Sequence, residues 1–146
     1  SHMGEIDIIG PGAAAVLDYA LVGTFTPVTV GRAKYSLLCD ANGGILDDLI
    51  VYRLAEDHFL VVANAANTAT VLREFISRSQ GFDAAVVDRS STTALIALQG
   101  PMAEGILSTV LSGADRPLMH ELRYYAAIRV SIGSIPVLLA RTGYTG

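Results

Sequence analysis

Two adjacent aspartates, Asp47 and Asp48, interrupt a stretch that otherwise belongs in a strand, with Ile45-Leu46 before them and Leu49-Ile50-Val51 after. Aspartate is depleted in strands, and neighbouring strand side chains point to opposite faces, so one of the two has to enter the packed side of a sheet. A carboxylate there must be hydrogen-bonded, paired with a charge, or put to use. Put to use, it serves as general base, metal ligand, or counter-ion to a developing cation. Ile45, Asp47, Leu49 and Val51 share one face; Leu46, Asp48, Ile50 and Tyr52 share the other. Both faces are largely apolar, so alternation does not say which aspartate turns inward. The preceding Asn42-Gly43-Gly44 is a turn, and without a following lysine or helix it is no phosphate cradle.

Other chemistry-bearing residues are scattered around this pair. Tyr35 lies on the strand expected to partner Asp47-Asp48 and offers a ring to stack on a flat ligand, although strand tyrosines more often simply pack. Asn64 ends the run Phe59-Leu60-Val61-Val62-Ala63 and offers a two-sided amide, or an ordinary cap for the next helix. Arg141-Thr142-Gly143-Tyr144-Thr145-Gly146 is a glycine-punctuated strand exit that can close over a planar ring or form a plain turn. His58 falls in or beside a turn and His120 in a loop, neither with a second ligand at metal spacing. Cys39 is the single cysteine; it can form no internal disulfide and no thiolate zinc cage.

Local sequence also predicts the elements that must position these residues. A strand over Glu5–Ile9 is broken by Gly10-Pro11-Gly12, and a helix runs from about Gly12 to Val22. Thr24–Gly31 is an extended linker. Strands Ala33–Asp40 and Ile45–Leu54 flank the Asn-Gly turn, a strong hairpin signal, and Phe59–Ala63 completes a three-stranded antiparallel meander. A helix spans Asn67–Ser79, with Asn67 as its N-cap and Val71, Leu72, Phe75 and Ile76 as its buried stripe. Strands are expected at Phe82–Asp88 and Ala94–Gln99, a helix at Pro101–Leu111, and a final strand pair at Arg123–Ser131 and Ile135–Arg141 around Gly133. Strands come in runs with helices between the runs, which predicts an α+β fold with antiparallel sheets and packed helices.

Composition narrows the classes. The chain has 146 residues, enough for one domain or two small lobes sharing a core; 51% are hydrophobic and 16% charged, too apolar for a disordered chain. Net charge is −4 with a single lysine, Lys34, and no basic stripe, which argues against a nucleic-acid surface. No apolar stretch approaches the roughly 20 residues of a membrane span, and no basic segment leads into an apolar one as in a signal peptide. Ser1-His2-Met3, taken alone, reads as a tag remnant, and the turn-like ending suggests a piece of something longer.

In order along the chain, Ser1-His2-Met3-Gly4-Glu5-Ile6, Gly31–Ser36, Gly43-Gly44-Ile45-Leu46-Asp47-Asp48-Leu49-Ile50-Val51, Val61-Val62-Ala63-Asn64-Ala65, Ala97-Leu98-Gln99-Gly100-Pro101 and Arg141–Gly146 resemble the T protein of the glycine cleavage system, the aminomethyltransferase family. The double-glycine, double-aspartate hairpin and the Arg-Thr-Gly-Tyr-Thr-Gly stretch are the most specific of the six. The resemblance makes Ser-His-Met-Gly native family sequence and makes residues 1–146 a partial folate-binding region, with an N-terminal segment and a C-terminal lobe missing. It implies a cytoplasmic enzyme that takes the aminomethyl group from the lipoyl arm of an H protein, releases ammonia and passes the one-carbon unit to tetrahydrofolate. Asp48 matches the family's essential aspartate, close to N5 of the pterin, where it would be held dry and oriented. Tyr35 and Tyr144 match aromatic residues on the folate, Val62 and Asn64 match positions lining the pterin slot, and Val51 adds apolar wall. The family's acidic residues after Thr-Gly-Tyr-Thr-Gly and its tail-binding arginine fall outside the chain, so the fragment alone is expected to be inactive. Related alternatives are a folate-binding domain of a demethylating oxidoreductase and a non-catalytic folate-binding protein of iron–sulfur maturation. The Lys-Gly-Cys signature of the latter is absent, since Cys39 follows Leu38.

Overall fold

Met3–Ile9 forms strand β1, in which Ile6 and Ile8 turn to the core while Glu5 and Asp7 turn the other way. The break at Gly10 (φ +133°) leads into helix α1, Ala13–Ala20, shorter than the sequence suggests because Leu21 is already extended. The computed structural model describes residues 3–143. The supposed linker, 24–31, is a series of turns, pinned where Arg53 Nη1 donates to the carbonyls of Thr26 and Val28.

Strands β2 (Ala33–Cys39), β3 (Ile45–Ala55) and β4 (His58–Asn64) form the expected meander. The β2–β3 turn is tied by Asp40, whose Oδ1 accepts from the backbone N–H of Asn42 and Gly44 (both 2.8 Å), with Gly43 at φ +84°. A 3-10 turn, Ala65–Asn67, then precedes helix α2, Thr68–Arg78, and strand β5, Ala85–Asp88. The sheet has the order β2-β3-β4-β1-β5 with every neighbour antiparallel. Helices α1 and α2 cover one face, where Val16, Leu17, Val71 and Phe75 meet Ile6, Ile8, Leu49, Val51, Phe59 and Val61. Three fully buried phenylalanines, Phe25, Phe59 and Phe75, anchor this core, each contributing roughly 2–3 kcal/mol by leaving water.

Several expectations are corrected. Ile76 is 48% exposed, so the buried stripe of α2 is Val71 and Phe75 with Leu72 half-buried. Asn67 does not cap α2 with its side chain; that amide binds the Asp47 carboxylate instead. Ala94–Gln99 is not a strand: it is irregular throughout, and Ile96 is 87% exposed.

The chain divides into two units, one ending at Leu95 and the other beginning at Ile96. The second contains helix α3 (Ala103–Val110), helix α4 (Asp115–Glu121) and a hairpin of β6 (Ala126–Ile132) and β7 (Ile135–Arg141). Its core cluster is Leu111, Met119 and Val130. His120 therefore lies on a helix rather than in a loop; α4 begins where Ser112 Oγ accepts the Asp115 N–H at 3.1 Å. The antiparallel sheets and packed helices make the fold α+β. No helix among the described residues is long and apolar enough to cross a membrane.

Candidate functional site

The sheet register aligns the candidate residues in two rows on the face away from α1 and α2. Tyr35 lies opposite Ile50, Ile50 opposite Val62, and Val62 opposite Glu5. In the next row Leu37 lies opposite Asp48, and Asn64 opposite Met3. Directly opposed residues share a face, so Tyr35, Asp48, Val62 and Asn64 are brought together by pleat and register alone.

Asp48 is held from both sides. Tyr35 Oη donates diagonally across the β2–β3 ladder to Asp48 Oδ2 at 3.2 Å, and Asn64 Nδ2 donates to Asp48 Oδ1 at 3.0 Å. Asp48 is nevertheless exposed. The expectation of a dry carboxylate does not hold in this chain, where Tyr35 and Asn64 nonetheless orient the side chain. Tyr35 is 48% exposed, which leaves much of its ring accessible, and Val62 is buried beside it in the same pair of rows.

Asp47 takes the opposite direction and is 3% exposed. Its carboxylate accepts from the Asn64 backbone N–H (3.0 Å), from Asn64 Nδ2 (2.9 Å) and from Asn67 Nδ2 (2.6 Å). The inward aspartate is thus Asp47, satisfied by the turn that folds over it, and the outward one is Asp48. Val51 shares Asp47's face and is 1% exposed within the helix-covered core. It cannot line a wall beside Asp48, because the sheet lies between them. Tyr144 lies outside the described residues.

Two participants escape a reading of the sequence. Asn67 reads as a helix cap, although two carboxamides three residues apart after a strand, opposite a pair of aspartates, are an available signal. Glu5 completes the row with Val62 and Ile50, is 1% exposed, and has no hydrogen-bond partner for either carboxyl oxygen among the described residues. Burial holds its carboxyl above the usual range, and the nearby Asp88 charge adds to that. Among the described residues no group of His, Cys, Asp and Glu could hold a metal ion. His58 instead sits 2.9 Å from Asp7, and His120 pairs with Glu104 at 2.8 Å.

As an arrangement, the face offers an anchored carboxylate, a carboxamide oxygen, a half-exposed phenol ring and a valine. That set suits a flat, nitrogen-rich ring carrying N–H donors, and a carboxylate so fixed can stabilise positive charge arising on one of those nitrogens.

Comparison with known proteins gives a consistent picture. The family described as the GCVT N-terminal domain matches residues 1–146. An aminomethyltransferase of Streptomyces avermitilis is 56% identical over 146 residues, which is 100% of this chain and 38% of that protein. The chain thus spans about 38% of the length of such curated relatives. A crystal structure of glycine cleavage system aminomethyltransferase T from Bartonella henselae superposes with a TM-score of 0.80 at 33% identity, covering 99% of this chain and 37% of that one. A heterotetrameric sarcosine oxidase from Corynebacterium sp. U-96 shares the fold, with a TM-score of 0.65 at 24% identity over 98% of this chain and 68% of that one.

Proposed function

The chain belongs to the GCVT N-terminal domain family, and from that premise we propose that it forms the tetrahydrofolate-binding part of a glycine cleavage aminomethyltransferase. The full-length enzyme would act in the cytoplasm, accept the aminomethyl group from the lipoyl arm of an H protein, and deliver its carbon to tetrahydrofolate with release of ammonia. Relatives named aminomethyltransferase support the reaction class. Residues 1–146 would contribute one side of the folate pocket and would be inactive alone.

The observation that carries this reading is the double anchoring of Asp48 by Tyr35 and Asn64. The donor set also fits a reduced pterin: Asp48 and Asn64 Oδ1 are acceptors for ring N–H groups, and Tyr35 and Val62 offer flat and apolar contact. Tetrahydrofolate supplies the nucleophilic amine. Asp48 holds and polarises that nitrogen and stabilises the positive charge it gains as it bonds to carbon, without moving when the charge appears. Tyr144 is assigned to the folate as a second aromatic contact on the strength of the Arg-Thr-Gly-Tyr-Thr-Gly resemblance alone.

In the full-length protein, Asp48→Asn is expected to lower one-carbon transfer by at least about 100-fold, the scale of losing a preorganised electrostatic contact. Its melting temperature should stay within a few degrees of the parent, because Asp48 is exposed. Normal transfer by a folded Asp48→Asn enzyme would sink the assignment.

A further inference from the structure

The Asn64 carboxamide could in principle face either way, since its oxygen and nitrogen ends are nearly equal in size and opposite in hydrogen-bonding character. Its neighbours decide. Nδ2 lies 2.9 Å from Asp47 Oδ1, 3.0 Å from the Asp48 carbonyl and 3.0 Å from Asp48 Oδ1. Turned over, the amide would set its own oxygen against three others.

Of those three acceptors, the Asp48 carbonyl is carried by the β3 backbone, and the Asp47 carboxylate is the buried one, held without help from the Asn64 side chain. It is 3% exposed, its Oδ2 accepts from the Asn64 backbone N–H, and its Oδ1 also accepts from Asn67 Nδ2. The Asp48 carboxylate, by contrast, belongs to an exposed residue and takes its direction from Tyr35 and Asn64. Positioning therefore runs outward through the sheet, from Asp47 to Asn64 to Asp48. One atom is left over: Asn64 Oδ1 accepts no hydrogen bond among the described residues.

We propose that Asp47 is a positioning residue whose buried carboxylate, together with the Asp48 carbonyl, fixes the facing of the Asn64 carboxamide, turning Nδ2 onto Asp48 and presenting Oδ1 as the acceptor for a ring N–H of the ligand. The inference rests on the folate reading and adds to it a residue that never touches the folate. Asp47 thereby selects for a ligand that offers a ring N–H donor to Asn64, and against one that offers an acceptor there. A carboxylate suits the task because both of its oxygens accept, whereas an amide in its place could face the wrong way.

The test is calorimetric titration of the full-length protein with tetrahydrofolate, in the parent and in Asp47→Asn, Asn64→Ala, the double variant and Asn67→Ala. Asp47→Asn and Asn64→Ala should each weaken binding about tenfold, the loss of one ligand hydrogen bond. The double variant should be no weaker than Asn64→Ala, because Asp47 acts only through Asn64. Asn67→Ala removes one of the donors that fix Asp47 but leaves the Asn64 backbone N–H on its carboxylate; it should lower the melting temperature and weaken binding by clearly less than Asp47→Asn does. Asp47→Ser takes the place of Asp47→Asn if the latter does not fold. Parent-like affinity in the Asp47 variants, additive losses in the double variant, or an Asn67→Ala loss equal to that of Asp47→Asn would each overturn the inference and leave the folate reading standing. Absence of binding by the parent would instead remove the folate reading, and this inference with it.

Discussion

Adjacent aspartates on β3 meet different surroundings because the pleat sends one under the 65–67 turn and the other to the far face. Glu5 shows the cost of the same alternation on β1, where a carboxyl is taken out of water and given no partner among the described residues. Its folded-state carboxyl titrates above the ordinary value, so the folded chain holds a proton that the unfolded chain has already released. Below the unfolded value both forms are protonated and nothing is lost; as pH rises toward and through the raised folded value, stability falls. Glu5→Gln, which cannot ionise, should therefore gain on the order of 1 kcal/mol over the parent at neutral pH. That gain should vanish in acid, below the unfolded carboxyl range. Urea unfolding at several pH values measures it, and a gap that is the same at every pH would refute the ionisation argument. Residue types and spacing alone flagged Asp47 and Asp48, Tyr35 and Asn64. What they could not convey was which face the helices cover, since both faces of β3 are apolar; that one missing fact put Val51 on the wrong side and hid Asp47's partners.

Elements were legible where chain chemistry is local. Asn42-Gly43, held by Asp40, marks the hairpin, and Gly10 marks the end of β1 by adopting positive φ. They were illegible where a partner decides. Ala94–Gln99 has a strand's composition but joins neither of the sheets formed by the described residues, and α4 was obscured by Pro117, which its first turn tolerates. Packing between elements was also invisible, and Gly4 is the sharpest case. A Cβ there would stand 2.3 Å from Thr68 Cγ2 and 2.8 Å from Thr68 Cβ, so β1 runs directly beneath the start of α2. Gly4→Ala is expected to destabilise the first unit by about 1–3 kcal/mol, the usual cost of overpacking. Thr68→Ala in the same chain should recover only part of it, since its own Cβ stays too close and its hydroxyl bond to the Asn64 carbonyl is lost. Chemical denaturation of the single and double variants tests this; a neutral Gly4→Ala would show that α2 can lift away freely.

On the scale of the whole chain, the two units differ in how much they bury. The first packs two helices on a five-stranded sheet, with Phe25, Phe59, Phe75, Ile6 and Val61 fully out of water. The second closes a two-stranded hairpin over Leu111, Met119 and Val130, while Met102, Ile106 and Val110 at its first helix remain 68%, 50% and 46% exposed. A two-stranded sheet with so small a core is marginal in water, and local opening free energy follows the apolar contact that opening must break. Amides in β1 and β4 should therefore exchange only with global unfolding, and those in β6 and β7 through local opening at least about 2 kcal/mol cheaper, roughly 30-fold faster under the same conditions. Phe75→Ala should unfold the first unit, costing about 3–5 kcal/mol, whereas the second unit's hairpin amides should keep their parent rates. Native-state hydrogen exchange read by mass spectrometry distinguishes the cases. Equal protection in β4 and β6, or loss of protection in both when Phe75 is truncated, would mean that the chain unfolds as one cooperative block rather than as two parts of unequal stability.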